Sequence, residues 1–207
     1  MIALIDYGMG NIHSVTKALE HVGGRVKRVR QATDLVGCTR IVFPGVGAFR
    51  DCMATLRERA LDGALHQAVA AGTPLLGICL GMQALLTRSY EFGCFDGLDL
   101  IAGEVVPFPP DLPAAGHKIP HMGWNDVVIA DPLHPVLSAI DHRQLYFVHS
   151  YYCQPQHLAH TLAESEHGGV RFAAAIGRDN LLGVQFHPEK SQQAGLDLLH
   201  AFLRWNP

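Results

Sequence analysis

The chain has 207 residues, 48% hydrophobic and only 17% charged, which gives it the means to bury a core and excludes a disordered segment. Its 16 Lys and Arg stand against 19 Asp and Glu, a formal net charge of −3 with no long basic run, so it carries no electrostatic footprint for nucleic acid or an anionic membrane. No stretch approaches the roughly 20 consecutive apolar residues that a membrane-spanning helix needs.

The first half alternates between two periods. Ile2-Ala-Leu-Ile-Asp-Tyr7 is a continuous apolar run of strand length, and it reads as a first strand rather than a leader peptide. Gly8-Met-Gly-Asn11 ends it. Ile12, Val15, Leu19 and Val22 then recur at helical spacing until Gly23-Gly24. Residues 25–29 alternate like a strand with one wet face, and Arg40-Ile-Val-Phe43 is another buried run before Pro44-Gly-Val-Gly47. Residues 53–71 read as one long helix ending at Gly72, 74–78 as a buried strand, and 82–88 as the helix after it. Strand, turn and helix repeated in this way predict βαβ units and a parallel sheet.

The second half changes character. Pro and Gly are dense from 103 to 120, and Pro107-Phe-Pro-Pro110 cannot occupy a central strand. Short alternating runs follow at 126–129, 144–148, 172–176 and 182–186, the last two joined as a hairpin by Arg178-Asp-Asn180. Residues 192–203 close the chain as a helix with Leu196, Leu199 and Leu203 on one stripe. No linker interrupts the pattern. The expected fold is therefore α/β, a single domain over 1–207 with a mostly parallel central sheet flanked by helices and β-rich insertions in the C-terminal half.

The five cysteines, Cys38, Cys52, Cys79, Cys94 and Cys153, are odd in number, scattered, and form no CxxC pair. That argues against a disulfide framework and a thiolate zinc site, and for a cytoplasmic chain with free thiols. One of them stands out. In Thr73-Pro-Leu-Leu-Gly-Ile-Cys-Leu-Gly-Met-Gln83 a buried strand runs through Gly77-Ile-Cys79-Leu-Gly81 into a helix. This is the pattern of a nucleophile elbow with sulfur as the nucleophile. The turn forces the nucleophile toward strained backbone angles, and its neighbours two positions away must be small. The sulfur then stands clear of the sheet, the Leu80 N–H faces the reacting carbonyl, and the helix N-terminus favours thiolate.

Phe186-His187-Pro188-Glu189 supplies the second element. In extended chain, residues i and i+2 point the same way, so Glu189 reaches the His187 ring and fixes its tautomer. The other ring nitrogen is left for a thiol, which is the logic of a triad in the order Cys, His, Glu. Pro44-Gly45-Val46-Gly47 follows a strand and offers a second oxyanion donor; it lacks the GK[ST] of a phosphate loop. Cys79, His187 and Glu189 could alternatively ligate a metal, but no further Cys or His lies at ligand spacing, and no metal or cofactor is expected.

These motifs together resemble the class I (triad) glutamine amidotransferases. Asp6-Tyr-Gly-Met-Gly-Asn11, Lys118-Ile-Pro-His-Met-Gly-Trp-Asn125 and His149-Ser-Tyr-Tyr152 narrow the resemblance to the glutaminase subunits of imidazole glycerol phosphate synthases. The resemblance implies a flavodoxin-like glutaminase fold and a histidine-biosynthesis role. Glutamine would be cleaved through a Cys79 thioester, with the oxyanion held by N–H groups of Leu80 and of the turn carrying Val46 and Gly47. Gly47, Gln83, Glu91, His149, Ser150 and Tyr151 would surround the substrate, with Glu91 facing its ammonium group. The implied partner is a (β/α)8 cyclase subunit that turns the ammonia into imidazole glycerol phosphate and aminoimidazole carboxamide ribotide. Docking would use Met9, Asn11, Lys118, Pro120, Met122 and Trp124, and glutaminase activity would rise when the cyclase holds its substrate. Read without the resemblance, Trp124 suits a core as well as an interface. Three other readings stay open: an amidotransferase serving another synthase, a cysteine hydrolase of related fold, and a binding module with a vestigial site.

Overall fold

A computed structural model describes every residue from Met1 to Pro207. The chain runs β1 (Ile2–Ile5), α1 (Ile12–His21), β2 (Val26–Val29), β3 (Arg40–Gly45), α2 (Phe49–Glu58), α3 (Leu61–Ala70), β4 (Leu75–Cys79) and α4 (Leu80–Gln83). It continues with β5 (Leu86–Ser89), β6 (Phe95–Asp96), β7 (Ile101–Pro107), β8 (His121–Ile129), β9 (Arg143–His149) and β10 (Tyr151–Pro155). The last elements are β11 (Thr161–His167), β12 (Val170–Arg178), β13 (Leu181–Val184) and α5 (Gln192–Arg204).

Nine strands form one sheet in the order β2-β1-β3-β4-β13-β12-β11-β8-β9. The pairs from β2 to β13 are parallel, and those from β13 to β9 antiparallel. The parallel part is covered on both faces, which is why β1, β3 and β4 read as unbroken apolar runs. Leu4, Val42 and Leu76 face a core shared with α1 and α5. Ala3, Ile5, Ile41, Phe43 and Leu75 face the opposite core, shared with α2 and α3. A second sheet, β10-β7-β5-β6, takes up the Pro- and Gly-rich middle of the chain, with Pro107 at the very end of β7. No helix is long and apolar enough to cross a membrane.

Two expected helices are corrected. The long helix over 53–71 is two helices, broken at Ala60, whose φ of +53° puts a left-handed residue between them. Alanine pays about 1–2 kcal/mol for that conformation and gives no visible punctuation, so the sequence pattern runs straight through the break. The helix over 82–88 stops after α4, and Leu86–Ser89 becomes β5, paired with β6 and β7. Ala84, Leu85 and Leu86 are buried either way, so their apolar run carries no period that separates helix from strand. On α5 the deepest residues are Leu198, Leu199 and Phe202, while Leu196 and Leu203 flank the stripe. The hairpin at 172–186 forms as expected, with Asp179 at φ +47° in its turn.

Candidate active site

Register in the parallel sheet places Gly45 at the end of β3 directly beside Cys79 at the end of β4. The turn carrying Val46 and Gly47 therefore lies next to the sulfur, at the carboxyl end of the strands. Cys79 adopts φ +54° and ψ −109°, a strained conformation for a residue with a side chain. Its flanking glycines are compelled by contact. A Cβ on Gly81 would sit 1.8 Å from the Phe43 carbonyl oxygen, and one on Gly77 would sit 2.7 Å from the Gly81 oxygen. The expected helix behind the cysteine is a single turn of 4 residues, so a helix dipole gives the sulfur little help.

His187 follows β13, the strand adjacent to β4. Its backbone N–H donates to the Tyr146 carbonyl at 2.9 Å, and its own carbonyl accepts from the Ser191 hydroxyl at 2.7 Å, fixing the ring's base. Nδ1 and Glu189 Oε1 are 2.9 Å apart, with side chains only 2% and 1% exposed. Glu189 reaches the ring from a 3-10 turn over Pro188–Lys190 rather than from extended chain, which corrects the expected route to the same contact. Gly195 of α5 packs on this turn so closely that a Cβ there would lie 1.9 Å from the Pro188 oxygen. The second ring nitrogen, Nε2, is buried without a hydrogen bond of its own. Burial by itself disfavours the imidazolium; the Cys79 sulfur and then the Glu189 carboxylate outweigh it and raise the His187 pKa to about 10.

Both Cys79 and His187 open onto a cavity of about 540 Å3, a size suited to a small polar molecule. Val46, Gly47, Leu80, Gln83 and Glu91 line it, as do His149, Ser150 and Tyr151. The sequence-predicted catalytic, oxyanion and substrate residues thus converge on one cavity, except that Glu189 stands behind His187 and does not line it. Glu91 Oε2 accepts from the Phe49 N–H at 2.5 Å, so this carboxylate is anchored to the first turn of α2 while lining the cavity.

The chain matches the family described as Glutamine amidotransferase class-I over residues 3–204. It is 52% identical to the imidazole glycerol phosphate synthase subunit HisH of Methylococcus capsulatus, over 100% of this chain and 97% of that one. It is 50% identical to the protein of the same name from Acinetobacter baylyi, covering 99% of this chain and 98% of that one. The solved structure of PurLQS from Thermotoga maritima shares the fold at 18% identity, with a TM-score of 0.77 over 98% of this chain and 97% of that one. This chain belongs to the class I glutamine amidotransferases.

Within this amidotransferase, three features depart from the sequence reading or lie outside it. The first is His149. Its Nδ1 lies 2.9 Å from the Tyr151 carbonyl oxygen, its Nε2 lies 2.9 Å from His121 Nδ1, and His121 Nε2 lies 3.2 Å from the Asn125 amide nitrogen. A carbonyl only accepts, so the protons are assigned in one direction, Asn125 to His121 to His149 to Tyr151. Burial lowers the His149 pKa to about 3 and, with a smaller push from His167, that of His121 to about 4. Both rings are neutral near pH 7. His149 lines the cavity as expected, with both ring nitrogens engaged by neighbours, one of them the Tyr151 carbonyl.

The second is Asn11. Its amide donates to Glu189 Oε1 at 3.4 Å, so the half-buried Asn11 meets the same carboxylate oxygen that bonds His187. The third is Gln185, fully buried behind the sulfur, with Nε2 3.6 Å from Cys79 Sγ. A glutamine inside the otherwise apolar run Leu-Leu-Gly-Val-Gln-Phe was the available signal.

Of the residues expected to dock a partner, Met122 and Trp124 project outward from β8 at 62% and 44% exposure. This removes the core alternative for Trp124, whose ring meets that of Tyr146 edge-on on the same outer face. Lys118 is exposed, Pro120 lines the cavity, and Met9 packs beside the turn at Gly47.

Proposed function

We propose that the chain is the glutaminase subunit of an imidazole glycerol phosphate synthase, and that residues 1–207 act as one amidotransferase domain. The Cys79 sulfur, its proton already passed to His187 Nε2, attacks the side-chain carboxamide carbon of glutamine. The oxyanion is held by N–H groups of Leu80 and of the turn at Val46 and Gly47; one such donor contributes roughly 3 kcal/mol of transition-state stabilisation. The C–N bond breaks as His187 returns the proton to the departing nitrogen, releasing ammonia and leaving a γ-glutamyl thioester. His187 then takes a proton from water, the hydroxyl adds to the thioester, and the C–S bond breaks to free glutamate. Glu189 stabilises the imidazolium through both halves. Glu91 receives the glutamine ammonium, and Gln83, Ser150 and Tyr151 shape the site.

The observation that carries this reading is the pair of Cys79 and His187 lining one cavity, with Glu189 bonded to the far nitrogen of the ring. The identity to curated synthase subunits supports the synthase assignment. Ammonia released into water at neutral pH is protonated and lost as a nucleophile, so a direct hand-over is required. A (β/α)8 cyclase docked over Met9, Lys118, Pro120, Met122 and Trp124 receives it in the cytoplasm of a heterodimeric complex. Exposed Met122 and Trp124, on the strand that follows the cavity-lining Pro120, suit the apolar centre of such an interface. The test is glutamine hydrolysis measured with and without the cyclase and its ligand. Wild type should hydrolyse glutamine faster in the ligand-bound complex; Cys79→Ala should not hydrolyse it, while ammonia-supported synthesis by the complex continues. Inertness of the wild-type complex toward glutamine would overturn the reading.

A further inference from the structure

We propose that Gln185 is a third polar partner of the nucleophile: its side-chain N–H donates to the Cys79 sulfur, aiming it into the cavity and stabilising the negative charge it carries during reaction. The inference deepens the glutaminase reading above. Its basis is a hydrogen-bond chain whose polarity is determined. Gln83 Nε2 lies 3.1 Å from the Tyr151 carbonyl oxygen and 3.1 Å from Gln185 Oε1. The carbonyl accepts only, so the Gln83 amide must turn its nitrogen toward it. That same nitrogen then presents its other hydrogen to Gln185, which must answer with its oxygen. The Gln185 NH2 is left facing Sγ at 3.6 Å, within reach for the large radius of sulfur.

The direction is therefore imposed by the Tyr151 carbonyl, which His149 also binds. The backbone is held too, since the Gln185 N–H donates to the Ala174 carbonyl at 2.9 Å. Gln185 is fully buried and does not line the cavity, so it approaches the sulfur from behind and leaves the front to substrate and His187. A neutral donor on a buried sulfur is worth most when that sulfur is an anion. Two moments of the reaction have that character: the thiolate before attack, and the sulfur leaving when the thioester is hydrolysed. Gln185 serves both without entering the substrate's contact surface.

The test uses Gln185→Met, which keeps length and removes the donor, and Gln185→Asn, which keeps the amide but is one methylene too short to reach. The rate of iodoacetamide alkylation at the Cys79-containing peptide is followed by mass spectrometry from pH 5 to 10, which separates it from the exposed Cys94. Removal of the donor should raise the midpoint of alkylation by about one pH unit in both variants. In the complex, kcat for glutamine at pH 7 should fall about tenfold with KM within about twofold, because the lost contact is not with substrate. If Gln185→Met fails to fold, Gln185→Asn decides alone. An unchanged midpoint in a folded variant overturns the inference, even while wild type turns over glutamine. A shifted midpoint in a wild-type background that never hydrolyses glutamine keeps the inference and removes the glutaminase reading instead.

Discussion

The cavity takes into its walls one histidine from each half of the large sheet, and the two are opposites. His187 comes from the parallel part of the sheet, beside β4, and carries a pKa raised to about 10. His149 comes from the antiparallel part, at the end of β9, and its pKa is lowered to about 3. Burial disfavours the charge on both, so burial does not distinguish them. The difference is what faces the two ring nitrogens: a carboxylate and a sulfur for His187, a backbone carbonyl and a neutral His121 for His149. One wall favours a charged imidazole, the other a neutral one bonded to a backbone carbonyl.

The comparison is broken most severely at the charged wall. Cys79→Ala should lower glutamine hydrolysis by about 10^4-fold or more, measured as ammonia release in the complex, with folding intact. Glu189→Gln removes the charge that holds the imidazolium and should cost roughly 10^3-fold in kcat, with a smaller change in KM. An equal loss in His149→Gln would mean that the second wall is chemical too. We expect that variant to raise KM for glutamine about tenfold while leaving kcat within about threefold. Trp124→Ala, on the outer face of the antiparallel part, should weaken cyclase binding by about tenfold in a titration and leave the melting temperature nearly unchanged.

The smallest effect is a pH dependence of stability, and its sign differs between the walls. His149 and His121 have folded pKa values below the unfolded 6.5, so their contribution is present above pH 6.5 and lost as the pH falls through about 4 and then 3. His187 contributes below pH 6.5 and loses that contribution as the pH rises through about 10. Thermal unfolding followed from pH 7 down to 4 should show a falling midpoint, and His121→Gln should blunt the fall.

The charged wall was the more legible in the sequence, for a physical reason. An elbow needs glycines two residues either side of the nucleophile because backbone passes within contact distance there, so Gly77 and Gly81 are written into the chain beside Cys79. His187 and Glu189 are two residues apart and announce one another. The parallel strands were equally readable, because a strand covered on both faces is apolar throughout. Less could be read where the determinant is long-range. The roles of Asn11 toward Glu189 and of His121 toward His149 depend on contacts across 178 and 28 residues of chain. The break at Ala60 leaves no sequence mark, and the short apolar run after Gln83 fits strand and helix equally well.

The order of strands in the large sheet has a consequence for the birth of the enzyme. β13 is the last strand made, yet it lies in the interior of the sheet between β4 and β12. A growing polypeptide emerging from the ribosome can assemble β1 to β4 and so present its thiol, but the slot beside that thiol stays unfilled until residues 181–184 arrive. His187 comes with them, three residues later. A prematurely ended product missing this region therefore lacks both the seam that unites the sheet's two halves and the imidazole beside the thiol, so the cavity is complete only when synthesis is nearly finished.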